Sequence, residues 1–222
     1  YSESPTAGWQ TRAMADGVWE MVADQRRQTV ALVESLTEEQ LSLPSLCEGW
    51  AVRDVAGHVA WVALATPPEV VREVLLAGGK VHRAIDVQAK TYGSLSTDVL
   101  VEKLRLAVDS RIVTPTITAE SLASDTLVHN QDIRRPLGLA AAIDPALLRL
   151  ALDHYLGANR FTGGKKRVKG LRLVATDLDW SLGSGPEVRG PGEALLLAAV
   201  GRGAALADLD GDGLQVLQQR IA

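Results

Sequence analysis

The sequence predicts a mainly α protein: a helical bundle followed by a small α+β C-terminal domain. Three observations lead there. Apolar residues recur about every 3.6 positions from Trp9 to Leu36 and again from Ile117 to Arg135, the second run containing neither Gly nor Pro. With 46% hydrophobic residues in 222 positions and a mean hydropathy of +0.06, the chain has enough apolar surface for a packed core and suits a soluble protein. After Gly163–Gly164 the helical period gives way to short, partly alternating stretches.

In chain order, the first helix is expected over Trp9–Leu36, where Met14, Val18, Met21, Val22, Val30, Leu32 and Val33 share a face. Thr37–Gln40 reads as a capping box opening a short turn that Pro44 ends. Gly49 then breaks the chain, and a second helix starts near Trp50, with Val52, Val55, Val59 and Val62 on its apolar side. Shorter helices follow: PPEVVREVLLAGG between its Pro and Gly boundaries, VHRAIDVQAKTYG, and Ser96–Ser110. The Ile117–Arg135 helix is stopped by Pro136 and Gly138, and Asp144–Ala158 carries Pro145 in its first turn. The stretch FTGGKKRVKG, with two adjacent glycines and four basic residues, is the best domain boundary, dividing the chain into residues 1–160 and 161–222. Beyond it, LRLVATDLDWSLG and EVRG read as short strands and PGEALLLAAVGRGAAL as a compact helix.

The stretch Ser124–Pro136 carries the chemistry. On a helix, Asp125, His129 and Asp132 fall in a stripe about 60° wide, and an acid four residues before a His can supply two metal ligands from one helix. An ordinary Asp–His pair at the same spacing is the plainer reading. About seventy residues upstream, His58 lies beside the apolar side of the second helix. Alone it reads as a core histidine partnered by Asp54. If both helices face one bundle interior, they deliver two imidazoles and a carboxylate, a set that leaves a divalent metal an open position. The near match DLDGDGLQVLQQ to a calcium-binding loop fails, because Gln219 stands where the loop needs a bidentate Glu and too little chain follows for a full exiting helix.

Cys47–Val62 resembles the Cys-x-Gly-Trp-x-x-x-Asp-x-x-x-His signature of the mycothiol-dependent maleylpyruvate isomerase family, and VHNQDIRRPLG resembles that family's second signature. The resemblance implies a DinB-like up-down four-helix bundle that binds a divalent metal, usually zinc, followed by a sterol-carrier-like tail whose marks are ATDLDW, GPEVRGP and a terminal GR. Carried over residue by residue, the ligands are His58, Asp125 and His129. Asp125 is one methylene shorter than the family's Glu, which leaves Asp132 a rival ligand. The same resemblance implies that Arg202 of the GR pair reaches a cleft beside the bundle to hold a substrate carboxylate, and that Arg83 assists. Read from the residues alone, Arg202 is a helix C-terminal charge and Arg83 part of a solvated face, like His82. His154 and Cys47 are read as structural, Cys47 packing under Trp50, and Asp132, Arg134 and Arg135 as an ion-pair corner.

The functional expectation is a mycothiol-dependent metalloenzyme, an isomerase or a thiol S-transferase acting on an electrophilic or carboxylate small molecule. The alternatives are a metal- or thiol-binding sensor on the same fold, and a bundle without metal. Net charge of −4 and a pI near 5.6 argue against nucleic-acid or anionic-membrane partners. No apolar run approaches the roughly 18 residues of a membrane span. The single cysteine rules out an internal disulfide, and the polar start YSESPTAGW lacks a secretory pattern, so the expected location is the cytoplasm, as monomer or homodimer.

Overall fold

The structure, a computed structural model, describes residues 5–113, 117–140, 142–157 and 163–221, with side chains from residue 16 onward. The side chains of Trp9 and Met14, and residues Ala158, Phe161, Thr162 and Ala222, lie outside the described set. The chain forms two compact units, Tyr1–Ala140 and Ala141–Ala222.

The first unit is helical. Its elements are α1 (Pro5–Ser35), the one-turn α2 (Glu38–Leu41), α3 (Val52–Leu64), α4 (Pro67–Leu76), α5 (Val81–Gly93), α6 (Thr97–Ala107) and α7 (Ala119–Arg134). A 3-10 turn, Arg135–Leu137, ends it where Pro136 removes a backbone donor and Gly138 adopts φ 68°. Helices α1, α3, α6 and α7 pack on one another around Leu32, Val33, Val55, Val59, Leu100, Leu104 and Ile133. The expected capping box forms: Thr37 N donates to Gln40 Oε1 at 3.0 Å and Gln40 N to Thr37 Oγ1 at 3.2 Å.

The turn before α3 sets the register of the second helix. Gly49 sits at φ 75°, where a Cβ would be strained, and Ser45 N donates to Trp50 O at 3.0 Å to close the turn. The helix therefore starts at Val52, two residues later than Trp50. Asp54 is not the partner of His58; its Oδ2 accepts from Ala51 N at 2.9 Å and caps its own helix.

Helices α3 and α5 meet at backbone distance. A Cβ added at Gly57 would lie 2.6 Å from both the Ala89 carbonyl oxygen and the Gly93 amide nitrogen. Small residues at both faces permit this approach, and it holds α5 against the helix that carries His58.

In the second unit, α8 (Pro145–Leu156) and α9 (Gly164–Arg167) precede β1 (Arg172–Ala175), β2 (Ser181–Gly183) and β3 (Glu187–Gly190). Strand order is β2-β1-β3, β2 antiparallel and β3 parallel to β1. The stretch LRLVATDLDWSLG thus holds two strands, one more than its sequence pattern predicts. Helix α10 (Gly192–Ala199) buries Ala194–Ala199 against α8 and the sheet, and Asp177 Oδ1 accepts from Gly192 N at 2.8 Å to fix its start. The predicted helix stops there; Gly201 takes φ 97°, and Gly203–Asp208 forms a 3-10 segment. The chain after Asp212 does hold an eight-residue helix, α11 (Leu214–Ile221).

The division at 140/141 differs from the expected 160/161. Helix α8 belongs to the second unit because its stripe Leu147, Leu148, Ala151 and Leu152 packs on α10, and Trp180 Nε1 donates to Asp153 Oδ1 at 2.8 Å. Among the described residues, no helix is long and apolar enough to cross a membrane.

The α3–α5 approach generates a prediction. Gly57→Ala should lower the free energy of unfolding by about 2–3 kcal/mol through overpacking against backbone atoms that cannot swing aside. Chemical denaturation measures this, and a loss below about 0.5 kcal/mol would mean that the two helices part freely.

Candidate metal centre

Helices α3 and α7 bring His58, Asp125 and His129 together. The imidazole centroids of His58 and His129 lie 4.7 Å apart with planes at 72°. Asp125 stands between them: Oδ2 is 3.4 Å from His58 Nε2, and Oδ1 is 3.5 Å from His129 Nε2. The side chains of His58 and His129 are 7% and 9% exposed, whereas Asp125 keeps 33%, so the carboxylate is the solvent-facing member.

A charge-assisted N–H···O bond brings its heavy atoms to about 2.7–2.9 Å. Two ligands about 2.0–2.1 Å from one tetrahedral ion lie about 3.3–3.4 Å apart. The two separations, made by different oxygens of Asp125, are longer than a charge-assisted bond, and each of the three side chains offers a ligand atom within 4.8 Å of the others. Two neutral imidazoles and one carboxylate fit zinc, with a position left open.

The second ring nitrogen of His129 is held differently. Nδ1 lies 2.9 Å from Asp132 Oδ2, and Cys47 Sγ donates to that same oxygen at 3.0 Å. Cys47 Sγ is itself 3.7 Å from His129 Nδ1. Although Cys47, His129 and Asp132 also form a compact donor group, the two contacts to Asp132 have hydrogen-bond lengths. Asp132 is fully buried, and its carboxylate is engaged by His129 and Cys47. Cys47 is likewise more than packing beneath Trp50. By contrast, His58 Nδ1 is buried with no hydrogen-bond partner among the described residues.

Trp50 covers both imidazoles, its ring 5.3 Å from His58 and 6.3 Å from His129. Its Nε1 donates to Asp86 Oδ1 at 2.8 Å, and Lys90 Nζ reaches the same oxygen at 2.7 Å. Each residue of the first signature therefore has a physical task. Gly49 makes the turn, Trp50 covers the rings, Asp54 caps α3, and Cys47 donates to Asp132.

A buried arginine completes the polar interior, with no periodic or motif signal to announce it. Arg26 on α1 is 1% exposed, and its Nη1 donates to Ala107 O at 2.8 Å and Ser110 O at 2.6 Å, closing the C-terminal end of α6. Its Nε has no hydrogen-bond partner among the described residues. Burial pulls the guanidinium down to about 10, opposed by the Asp125 carboxylate. Beside it, Thr29 Oγ1 donates to Asn130 Oδ1 at 2.8 Å, and Asn130 Nδ2 donates to Gln25 Oε1 at 3.1 Å, so α1 and α7 share a buried polar seam.

The two histidines titrate apart. Burial pushes His58 below the ordinary histidine value, and the Asp125 carboxylate beside it only partly offsets this. Burial acts the same way on His129, but the Asp125 carboxylate and the contacts with Asp132 and Cys47 raise it well above that value. Burial alone would raise Asp125; the two imidazoles together hold it far below the usual carboxylate range. Of the other residues singled out from sequence, Arg83 is exposed on α5. Arg202 belongs to the second unit, where its Nη1 lies 3.4 Å from Val200 O at the end of α10.

Known proteins place the chain in a family. The sequence profile described as Mycothiol maleylpyruvate isomerase N-terminal domain matches residues 22–134, just over half of the chain and spanning all three converging residues. A search of curated proteins finds no match. Crystal structures titled as the mycothiol-dependent maleylpyruvate isomerase and as a single-histidine mutant of it superpose with TM-scores of 0.63 and 0.62. Identities are 16% and 15%, and the alignments cover 89% of this chain and 92% of those chains, a likeness of fold. By the match over α1 to α7, the chain belongs to the mycothiol maleylpyruvate isomerase N-terminal domain family.

Proposed function

We propose that this protein is a mycothiol-dependent metalloenzyme in which His58, Asp125 and His129 hold one divalent ion, zinc being the best fit. The observation that carries the reading is the convergence of His58, Asp125 and His129 from two helices, with a ligand atom of each within 4.8 Å of the others. When bound, the metal supplies positive charge that lowers the pKa of a thiol at its open position. The protein's own groups do the rest. The two histidines bind as neutral imidazoles, and the single carboxylate leaves the site with net positive charge toward an incoming thiol. Trp50 shields the rings from water on one side, while Asp125 marks the side open to solvent. Arg202 and Arg83 are the proposed partners of a substrate carboxylate, which a guanidinium grips through two parallel bonds. The substrate is an electrophile that mycothiol attacks, followed either by isomerisation and release of the thiol or by its retention in the product.

Metal analysis of the purified protein, followed by thiol-dependent turnover of electrophiles with maleylpyruvate among them, tests the reading. Stoichiometric metal with mycothiol-dependent turnover is the expected result. Metal and thiol binding without turnover of any electrophile would make the protein a binding module.

His58→Ala should weaken metal binding by more than about 100-fold, beyond the ~10–100-fold typical of groups outside the coordination sphere. Circular dichroism should show the helices intact. Unchanged affinity in a chelator competition would remove His58 from the ligand set.

Metal binding should also release protons. Asp125, Asp132 and Cys47 hold His129 protonated well above its ordinary pKa, and a metal can take Nε2 only when that proton leaves. About one proton should be released per ion near neutral pH, and affinity should fall about tenfold per unit of acidification below it. Calorimetry in buffers of different ionisation enthalpy reads the proton count; zero release would contradict the assignment of His129.

A further inference from the structure

The asymmetry between the two histidines carries an inference that rests on the proposed metal site and goes beyond its ligand list. His58 Nδ1 has no hydrogen-bond partner among the described residues, whereas His129 Nδ1 is held by a built arrangement. We infer that Asp132 and Cys47 are a positioning pair: they lock His129 so that Nε2 presents its lone pair beside Asp125, and thereby set the metal affinity of the site.

The chemistry follows from which atoms can donate. An ionised carboxylate oxygen only accepts, so at 2.9 Å from Asp132 Oδ2 the proton between them sits on His129 Nδ1. In the neutral ring the lone pair is then left on Nε2, the atom that faces Asp125. With Nδ1 tethered, the ring also cannot flip, which would direct a protonated nitrogen at the ion. A partner of this kind raises the basicity of a ligating imidazole and fixes its tautomer.

Cys47 works through Asp132. Its S–H is a second donor to Oδ2, at 3.0 Å, and it holds that oxygen where His129 needs it. The backbone adds a third tie, because Leu46 N donates to Asp132 O at 3.1 Å. The loop that carries Cys47 and Trp50 is thus fastened to the last full turn of α7, so one residue anchors both the imidazole and the turn bearing the indole that covers it. The contacts at 2.9 and 3.0 Å are too short to be edges of a coordination tetrahedron, which are about 3.3–3.4 Å between nitrogen and oxygen ligands and about 3.5–3.6 Å where one ligand is sulfur. As the donor to Asp132, Cys47 is assigned a place outside the coordination sphere.

The test combines metal affinity with a ring-proton signal in Asp132→Ala, Asp132→Asn, Cys47→Ala and Cys47→Ser. In the wild-type protein, without and with zinc, nitrogen-15 NMR should show a slowly exchanging proton on His129 Nδ1. Asp132→Ala should lose that signal and bind zinc about 10–100-fold more weakly, the range typical of such partners. Asp132→Asn, nearly isosteric and without charge, should fall between; it carries the test if the alanine variant does not fold. Cys47→Ala should weaken zinc binding several-fold, while Cys47→Ser, which keeps an O–H donor, should restore most of the loss. A purely packing role for Cys47 would instead make serine, the more polar residue, the worse replacement. Cobalt-loaded wild-type protein should show no thiolate-to-metal charge-transfer absorption.

Zinc binding by Asp132→Ala within twofold of wild type, equal losses in the two Cys47 variants, or a thiolate-to-cobalt band would each overturn the inference. Failure of the wild-type protein to bind zinc would defeat the proposed function instead. The Nδ1 proton and its loss in Asp132→Ala would then still report the locked ring, and its absence from the wild-type protein would end the positioning claim too.

Discussion

A carboxylate wedged between two buried imidazoles is the constraint on which the bundle turns. Three ionisable groups at one spot in a helical interior are costly to desolvate unless they satisfy one another or an ion. Asp125 meets both rings from α7, His58 comes from α3, and the polar seam of Gln25, Arg26, Thr29 and Asn130 joins α1 to α7 alongside. The aliphatic core around Val55, Val59, Leu100 and Leu104 holds the helices at the required separation. Neither part suffices alone. The core would pack equally well with apolar residues at the site, and the site would not assemble without the register that Gly49 and Asp54 impose on α3.

The helices were legible because their apolar residues keep the helical period and their ends carry standard stops. The half of the site on α7 was legible for the same reason: Asp125 and His129 are four residues apart, so one helix aligns them. That His58 faces them is a tertiary fact, which periodicity cannot supply and which the signature motif implied. The rest of the site left no local trace. Arg26 looks like any surface basic residue until α6 is found ending against it, and Cys47 reads as packing until its thiol meets Asp132. Strand β2 escaped notice because it is three residues long and exposed throughout, so neither alternation nor apolar content marks it. The expected boundary at 160/161 differs from the division at 140/141 for a related reason: an apolar stripe announces that a helix packs, not what it packs against.

The site also shows how one short motif can serve stability and chemistry together. Asp54 and Gly49 act on the backbone, Trp50 on the faces of the rings, and Cys47 on a carboxylate from another helix. Loss of any one would disturb the others, since the turn Ser45–Ala51 is closed by its own hydrogen bonds and by the tie from Leu46 to Asp132.

The allegiance of α8 bears on how the polypeptide can be divided. A fragment ending near residue 160 would carry Leu147, Leu148, Leu152 and Leu156 on a helix deprived of its partner, and the complementary fragment would leave the apolar face of α10 uncovered. Both pieces would present adhesive hydrocarbon to water. A division at 140/141 instead keeps α8 with α10, the helix its apolar stripe covers.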